Sequence, residues 1–227
     1  MTEKQLVVIF GASSEIIRAI DWLQLSQFEV ILVSRKISRG SKVQSVNFES
    51  YTVDELGKLH EEISARKKII FIFANGASDR VAFYKLTESE ITSLVDVNLV
   101  LPMKFTAYLL NKYITKHLVF IYCSSSRAIA ADRGIVTYST SKSALVSFAK
   151  CMALEYGKFQ KRFYVLSLGL FKAGLNKEVT EPARAKIFAR SANPKYVSVN
   201  ELIRAIDFAS SSCASNGSVL KIDNGYF

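Results

Sequence analysis

Seven short apolar segments recur along the chain, and they limit the folds that are available to it. The strand candidates are Leu6–Phe10, Glu29–Val33, Val43–Val46, Ile69–Ala74, Leu118–Cys123, Phe163–Leu168 and Val219–Ile222. Several of these segments are apolar throughout, which is typical of parallel strands that are buried on both faces. Segments of helical length separate them, near residues 14–25, 53–66, 87–112, 137–158, 176–190 and 199–212. The alternation predicts one doubly wound α/β domain over residues 1–227, with a parallel sheet of about seven strands flanked by helices.

The composition is that of an ordinary globular protein, with 49% hydrophobic and 22% charged residues among 227. No uninterrupted apolar run approaches the roughly 18 to 20 residues of a membrane span. The first apolar run, Leu6–Phe10, is too short for the core of a signal peptide. We therefore expect a cytoplasmic protein without a membrane span.

The net charge of +10 favours anionic ligands, but the basic residues are dispersed along the chain. No basic tail or aromatic-studded basic strip stands out, so we expect no nucleic-acid partner, although charge alone leaves that alternative open. The three cysteines, Cys123, Cys151 and Cys213, are widely spaced and form no CxxC or Cys/His cluster. We therefore expect no metal site and no disulfide, and reduced, mostly buried thiols.

In a doubly wound sheet, ligands bind beyond the carboxyl ends of the strands, near the point where the strand order reverses. The residues that follow the predicted strands are rich in glycine, serine and asparagine, which suit close contact with a ligand. They are Gly11–Ser14, Ser34 and Arg35, Asn47 and Phe48, Asn75 and Gly76, Ser124–Ser126, and Gly169–Ala173.

The first two of these turns suggest a dinucleotide site. Gly11 allows a tight turn before a helix whose first amides can bind a pyrophosphate, although a plain turn capped by serine is an alternative. Arg35 stands where an acidic residue would bind a ribose 2′-hydroxyl, and an arginine there suits a 2′-phosphate. This favours NADP over NAD, with an exposed basic loop as the other interpretation.

Tyr138 and Lys142 are four residues apart on a predicted helix, so their side chains share one face. An ammonium beside a phenol should lower the pKa of the tyrosine, which could then act as a general acid or base. Ser125 ends a predicted strand, where its hydroxyl could bind a substrate oxygen or merely belong to a serine-rich turn. Asn98 is an amide among apolar residues of a long helix, where it could hold a water, kink the helix or be partly exposed without a function.

Together these residues resemble the short-chain dehydrogenase/reductase family, over essentially the whole chain. The resemblance implies a Rossmann-type fold and assigns the catalytic roles to Asn98, Ser125, Tyr138 and Lys142. It implies that Tyr138 protonates the carbonyl oxygen, that Lys142 lowers its pKa and binds the nicotinamide ribose, and that Asn98 helps to hold a water. The implied cofactor contacts are Gly11, Ser13, Ser14, Ile16, Ser34, Arg35, Asn47, Phe48, Ala74, Asn75, Gly76, Tyr138, Lys142, Gly169 and Phe171.

Four positions depart from the family pattern. Glu15 and Ile17 replace two glycines of the first turn, and Leu168 replaces the proline of a Pro-Gly pair after the sixth strand. Ala173 replaces a threonine that usually holds the nicotinamide amide. A carboxylate near the pyrophosphate should weaken cofactor binding unless it points away. These changes keep a second hypothesis open: an inactive or weakly active member that senses NADP or serves as a scaffold.

The leading hypothesis is an NADP-dependent carbonyl reductase or alcohol dehydrogenase. Segment 170–198 should cover the substrate and contains several lysines and arginines, so we expect an anionic substrate, such as a phosphorylated or nucleotide-linked keto-sugar. The resemblance also implies a homodimer or homotetramer packed through the helices near 87–112 and 137–158.

Overall fold

A computed structural model describes residues 4–22, 25–35, 43–130, 132–173 and 179–227. Seven parallel strands form one sheet in the order β3-β2-β1-β4-β5-β6-β7. The strands are β1 (Gln5–Phe10), β2 (Phe28–Ser34), β3 (Gln44–Asn47), β4 (Lys68–Phe73), β5 (His117–Ser125), β6 (Lys161–Leu168) and β7 (Val219–Ile222). This confirms the predicted α/β fold. The strand order reverses between β1 and β4, so the ligand crevice is expected at their carboxyl ends.

The predicted helical ranges 87–112, 137–158 and 199–212 are matched within two residues, whereas the first two helices are shorter than predicted. The helices are α1 (Glu15–Arg18), α2 (His60–Ser64), α3 (Glu88–Val95), α4 (Leu101–Lys112), α5 (Val136–Tyr156), α6 (Glu181–Ala189) and α7 (Val199–Ser211). The first prediction, 14–25, is wrong beyond Arg18 within the described residues, because Trp22 folds back and donates its Nε1–H to the Ile17 carbonyl at 3.1 Å. Residues 53–66 begin as a 3₁₀ helix, Asp54–Leu59, before α2.

Two apolar layers enclose the sheet, because alternate residues of each strand point to opposite faces. In β1, Val8 and Phe10 pack with Phe105 of α4 and Leu145 of α5. Val7 and its neighbour on the same face, Ile9, pack on the other side with residues of α1 and α7. The central strands are therefore apolar throughout, and polar residues are left to the strand ends where the site lies.

The helical segment Glu88–Lys112 is long and apolar enough to cross a membrane by length and composition. The core helix of a globular protein passes the same test, and α4 packs on the sheet through Phe105 and Leu109. Among the thiols, only Cys123 is buried, whereas Cys151 and Cys213 are exposed, so the expectation of mostly buried thiols is wrong. In the described part of the chain, no group of three or more His, Cys, Asp or Glu residues could hold a metal ion.

Candidate active site

A cleft of about 1190 Å³ crosses the carboxyl ends of the strands at the point where their order reverses. Its volume exceeds that of most small-ligand pockets, which are roughly 300 to 1,000 Å³. Most of the sequence-predicted site residues line it: Gly11, Ser13, Ser14, Ile16, Arg35, Ala74, Asn75, Gly76, Ser125, Tyr138, Lys142 and Gly169. The fold thus brings the predicted dinucleotide turn and the Tyr138–Lys142 pair into one cavity.

Five of the predicted residues do not line the cleft: Ser34, Asn47, Phe48, Asn98 and Phe171. Contrary to expectation, the side chains of Phe48 and Phe171 are buried, at 0% and 1% exposure. Phe48 belongs to an aromatic cluster, with its ring centroid 6.1 Å from that of Phe10. Asn47, with its amide oriented to satisfy its hydrogen bonds, donates to the carbonyls of Ser34 and Arg35 at 2.9 Å. Asn47 therefore braces the backbone at Arg35.

Gly11 occupies a backbone position that other residues could not fill. Its φ is +81°, and an added Cβ would lie 2.6 Å from Asn75 N. The backbone after β1 can therefore approach the backbone after β4 only because the side chain is missing. The turn that closes one wall of the cleft depends on this contact.

The sequence analysis missed Tyr51, which also lines the cleft. Its hydroxyl donates to the Val33 carbonyl at 2.8 Å and accepts from Gly11 N at 3.1 Å. Its ring is nearly parallel to that of Phe105, with a 6.3 Å centroid separation. Tyr51 follows no strand end directly, so the search for residues at strand ends did not find it.

Lys142 is buried beneath the floor of the cleft, at 3% exposure. Its Nζ donates to the carbonyl oxygens of Asn75 and Cys123, both at 2.8 Å. Burial lowers the pKa of Lys142 to about 8. Of the three ammonium donors, two are thus held by backbone, and one is left for a ligand.

Tyr138 lies one helical turn before Lys142, in the first turn of α5. Burial raises the pKa of Tyr138, while hydrogen bonding to the Ser125 side chain and the charge of Arg127 act in the opposite direction. The expectation that Lys142 lowers this pKa is therefore not met here, because the ammonium is directed to backbone carbonyls.

Asn98 is fully buried within a π-helical turn, Asp96–Val100, between α3 and α4. Its Oδ1 accepts from Ala77 N at 3.0 Å, and its Nδ2 donates to the Ala77 carbonyl at 2.8 Å. Pro102 stands four residues later and has no N–H for the Asn98 carbonyl, so a regular α-helix is disfavoured there. Asn98 thus fixes the segment after β4, which contains Asn75.

Asp79 also joins this segment to α5, and the sequence analysis did not identify it. Its carboxylate is buried and accepts from Thr137 N at 3.0 Å and Tyr138 N at 3.1 Å. These amides belong to the first helical turn, where backbone donors have no partner within the helix. Asp79 therefore caps α5 from another element and positions the backbone of Tyr138.

Comparison with known proteins agrees with this geometry. The family model described as short chain dehydrogenase matches residues 5–184. The chain belongs to the short chain dehydrogenase family. It is 25% identical, over 180 residues, to the 3-oxoacyl-[acyl-carrier-protein] reductase FabG of Buchnera aphidicola subsp. Schizaphis graminum, covering 77% of this chain and 73% of the relative. The family assignment makes it an NAD(P)-dependent oxidoreductase.

Solved structures of other short chain dehydrogenases share the fold. A 4-hydroxyisoleucine dehydrogenase complexed with NADH has a TM-score of 0.82 and 21% identity, with 98% of each chain covered. The ligand-free aldohexose dehydrogenase of Thermoplasma acidophilum has a TM-score of 0.85 and 20% identity, covering 98% of this chain and 94% of the other. A Leptospira borgpetersenii short chain dehydrogenase with bound NAD⁺ has a TM-score of 0.84 and 18% identity, covering 98% and 92%.

The residues of this short chain dehydrogenase fit a nicotinamide dinucleotide at one point. Asn75 lines the cleft, and its Oδ1 is buried without a hydrogen-bond partner among the described residues. Such a buried oxygen is costly unless a ligand or water satisfies it.

The altered glycine turn is accommodated. Ile17 is 2% exposed and packs in the apolar layer of Val7 and Ile9, and Glu15 lines the cleft in the first turn of α1. Since α1 has only four residues, it offers a smaller dipole to a pyrophosphate than a long helix would. Ala173 is partly exposed and does not belong to the cleft lining, and residues 174–178, which include Lys177, lie outside the described residues.

Proposed function

We propose that this chain reduces a carbonyl group, or oxidises the corresponding alcohol, with NADP as the cofactor and Tyr138 as the general acid and base. The observation that supports this most directly is the meeting of Ser125, Tyr138 and Lys142 in one cleft beside Gly11. Bound NADPH would supply the hydride, and the chain supplies placement and proton transfer.

Each side chain has a distinct part. Ser125 holds the substrate oxygen, and the Tyr138 hydroxyl gives its proton to that oxygen as negative charge develops there. Lys142 binds the nicotinamide ribose with the donor that Asn75 and Cys123 leave available. Asn98 holds the Ala77 backbone and thereby the wall of the cleft, next to a water that would return a proton.

Substitution of Tyr138 by phenylalanine tests the mechanism. The ring remains and the proton donor is lost, so NADPH consumption should fall by roughly 100- to 10,000-fold, the usual contribution of a general acid. The dissociation constant of NADPH, from nicotinamide fluorescence, should change little. A Tyr138→Phe protein that keeps its turnover would contradict the proposed role.

The preference for NADP rests on Arg35, which lines the cleft after β2 and is braced by Asn47. Its guanidinium suits a 2′-phosphate, and no acid stands there to bind a free 2′-hydroxyl. Arg35→Ala should weaken NADPH binding by roughly 10- to 100-fold and leave NADH binding nearly unchanged. An equal effect on both nucleotides would argue against this preference.

A non-catalytic NADP-sensing or scaffold protein is the second candidate, favoured by Glu15 and Ala173. Titration with NADPH and NADH, together with a turnover assay, separates the two. If neither nucleotide binds at millimolar concentration, the scaffold is the better account. Turnover of any carbonyl compound with either nucleotide excludes it.

The proposed substrate is a compact or sugar-like ketone with a negative charge, including phosphorylated and nucleotide-linked keto-sugars. The net charge of +10 supports an anion, and similar folds include an aldohexose dehydrogenase and a 4-hydroxyisoleucine dehydrogenase complexed with NADH and succinate. A panel of keto acids, keto-sugars and neutral ketones, followed by NADPH absorbance, identifies the class.

We also propose a cytoplasmic homodimer or homotetramer packed through α4 and α5. These helices expose apolar side chains, with Met103 39% and Leu154 89% exposed. Light scattering behind size exclusion would measure the mass, and a monomer at micromolar concentration would contradict the proposal.

A further inference from the structure

A smaller pocket of about 40 Å³ adjoins the cleft and shares Ser125 and Tyr138 with it. Two of its lining residues are arginines, Arg80 and Arg127, and among the described residues no carboxylate side chain lines it. The pocket is therefore a small space bounded by positive charge, next to the groups that would bind the reacting oxygen.

Arg127 is held close to Ser125 by the local backbone. It lies in the 3₁₀ turn Ser126–Ala128, and its backbone N donates to Ser125 Oγ at 3.2 Å. Its side chain is 23% exposed, and its Nε lies 3.6 Å from Asp132 Oδ2. A guanidinium has five N–H donors, so this one contact through Nε leaves donors for a second anion.

Arg80 approaches the same pocket from the segment after β4. Its neighbour Asp79 is engaged by the amides of Thr137 and Tyr138, which ties this part of the segment to the first turn of α5. The lining also includes the side chains of Leu170, Ile187 and Tyr226, which are mostly apolar. The pocket therefore combines groups that suit a charge with groups that suit carbon.

We propose that Arg127 binds a carboxylate of the substrate a few bonds from the carbonyl that Ser125 and Tyr138 receive. The physiological substrate is then a keto acid or the matching hydroxy acid. A planar carboxylate matches the guanidinium fork in two parallel hydrogen bonds, and the small pocket favours it over a larger anion. This inference rests on the proposed function, because it uses the same oxygen-binding site.

Matched substrates separate the anion site from the chemistry. Acetoacetate and its methyl ester share a ketone and differ in charge. Arg127→Gln keeps the backbone bond to Ser125, and it should lower kcat/KM for acetoacetate by roughly 10- to 100-fold while changing that of the ester by less than about threefold. Arg162→Gln is the matched control, since Arg162 contacts the Ser212 carbonyl at 3.0 Å and does not line either cavity. An equal loss with both substrates would overturn the proposal.

A binding experiment tests the site even if no carbonyl is turned over. Malonate, a dicarboxylate without a ketone, is titrated by calorimetry into the NADPH-saturated wild type and into Arg127→Gln. At least tenfold weaker binding by the variant supports the carboxylate site, whatever the fate of the proposed reaction. Equal affinity for the two proteins overturns the proposal. So does the absence of binding to the wild type at 50 mM malonate, which is roughly fifty times a millimolar dissociation constant. Tighter Arg127-dependent binding of inorganic phosphate than of malonate also overturns the carboxylate assignment.

Discussion

Asp79 binds the backbone of Tyr138: its Oδ1 lies 3.1 Å from Tyr138 N, while its Oδ2 lies 3.0 Å from Thr137 N. The two amides belong to the first turn of α5, so one buried carboxylate replaces the missing partners of the helix end. The position of the proposed acid therefore depends on a residue 59 positions earlier in the chain.

Removal of this carboxylate should affect both stability and turnover. Asp79→Ala leaves two amides without an acceptor, and we expect the free energy of unfolding to fall by about 1 to 2 kcal/mol. Because the first turn of α5 would shift, kcat should fall by roughly 10- to 100-fold. Urea unfolding and steady-state kinetics measure the two effects, and the dissociation constant of NADPH should stay within about a factor of three.

Thr87→Ala is a control for this change. Thr87 caps α3 with a reciprocal capping box to Glu90 and does not line the cleft. The Thr87→Ala substitution should lower the free energy of unfolding by about 1 kcal/mol and leave kcat unaltered. If the two variants lose similar stability and turnover, Asp79 has only a structural role.

The turn after β1 should tolerate no side chain. In Gly11→Ala, the new Cβ would lie 2.6 Å from Asn75 N at a φ of +81°, so the two backbones must separate. We expect weaker binding of NADPH by at least about tenfold, together with lower stability of roughly 1 to 3 kcal/mol. Fluorescence titration and thermal unfolding report the two effects.

Gly57→Ala is the matched control for this substitution. No heavy atom lies within 4 Å of an added Cβ at Gly57, which sits in a 3₁₀ helix. The exchange should be neutral or stabilise by up to about 1 kcal/mol. NADPH affinity equal to that of the wild type in both variants would show that the Gly11 turn does not contact the cofactor.

The two hydrogen bonds between Asn98 and Ala77 should stabilise the fold by more than two exposed hydrogen bonds would, because the amide is fully buried. Asn98→Ala should reduce the free energy of unfolding by about 2 to 3 kcal/mol and lower kcat. Hydrogen exchange should show faster exchange of the Ala77 amide, which loses its acceptor. Unchanged protection of that amide would contradict the bracing role.

The sheet and most of the cleft could be predicted from the sequence because they depend on short-range patterns. Apolar runs such as Ile69–Ala74 define the buried strands, and the residues after them line the ligand edge in any doubly wound sheet. Tyr138 and Lys142 likewise lie one turn apart on a single helix, α5, as their i, i+4 spacing predicts. In these cases the local pattern and the fold require the same residues.

The remaining features depend on contacts between distant segments. Tyr51 reaches Gly11 across 40 positions, and Asp79 reaches Tyr138 across 59, so no local pattern identifies either. Phe48 follows a strand as predicted, but its ring packs against Phe10 in the aromatic cluster and does not line the cleft. The π-helical turn at Asn98 did have a local signal, since Pro102 lies four residues later and cannot donate to its carbonyl.

Lys142 should also give the protein a distinct pH dependence. Its pKa is near 8 when folded, against 10.5 for an ordinary lysine. Between these values the unfolded chain binds more protons than the folded one, so this group makes the free energy of unfolding rise with pH, by at most about 1.4 kcal/mol per pH unit. Lys142→Met removes that contribution. The wild type should therefore gain stability relative to Lys142→Met as the pH rises from about 8 to about 10.5, a window set by these two pKa values.

Urea unfolding at several pH values measures this difference, with Lys150→Met, an exposed position of the same helix, as the matched control. The free energy of unfolding of Lys150→Met should change with pH in the same way as that of the wild type across this range. A difference between wild type and Lys142→Met that stays constant or shrinks toward high pH would mean that the ammonium is not penalised by burial. Lys142 would then keep its charge well above pH 8, and the ribose contact proposed for it would persist in alkaline solution.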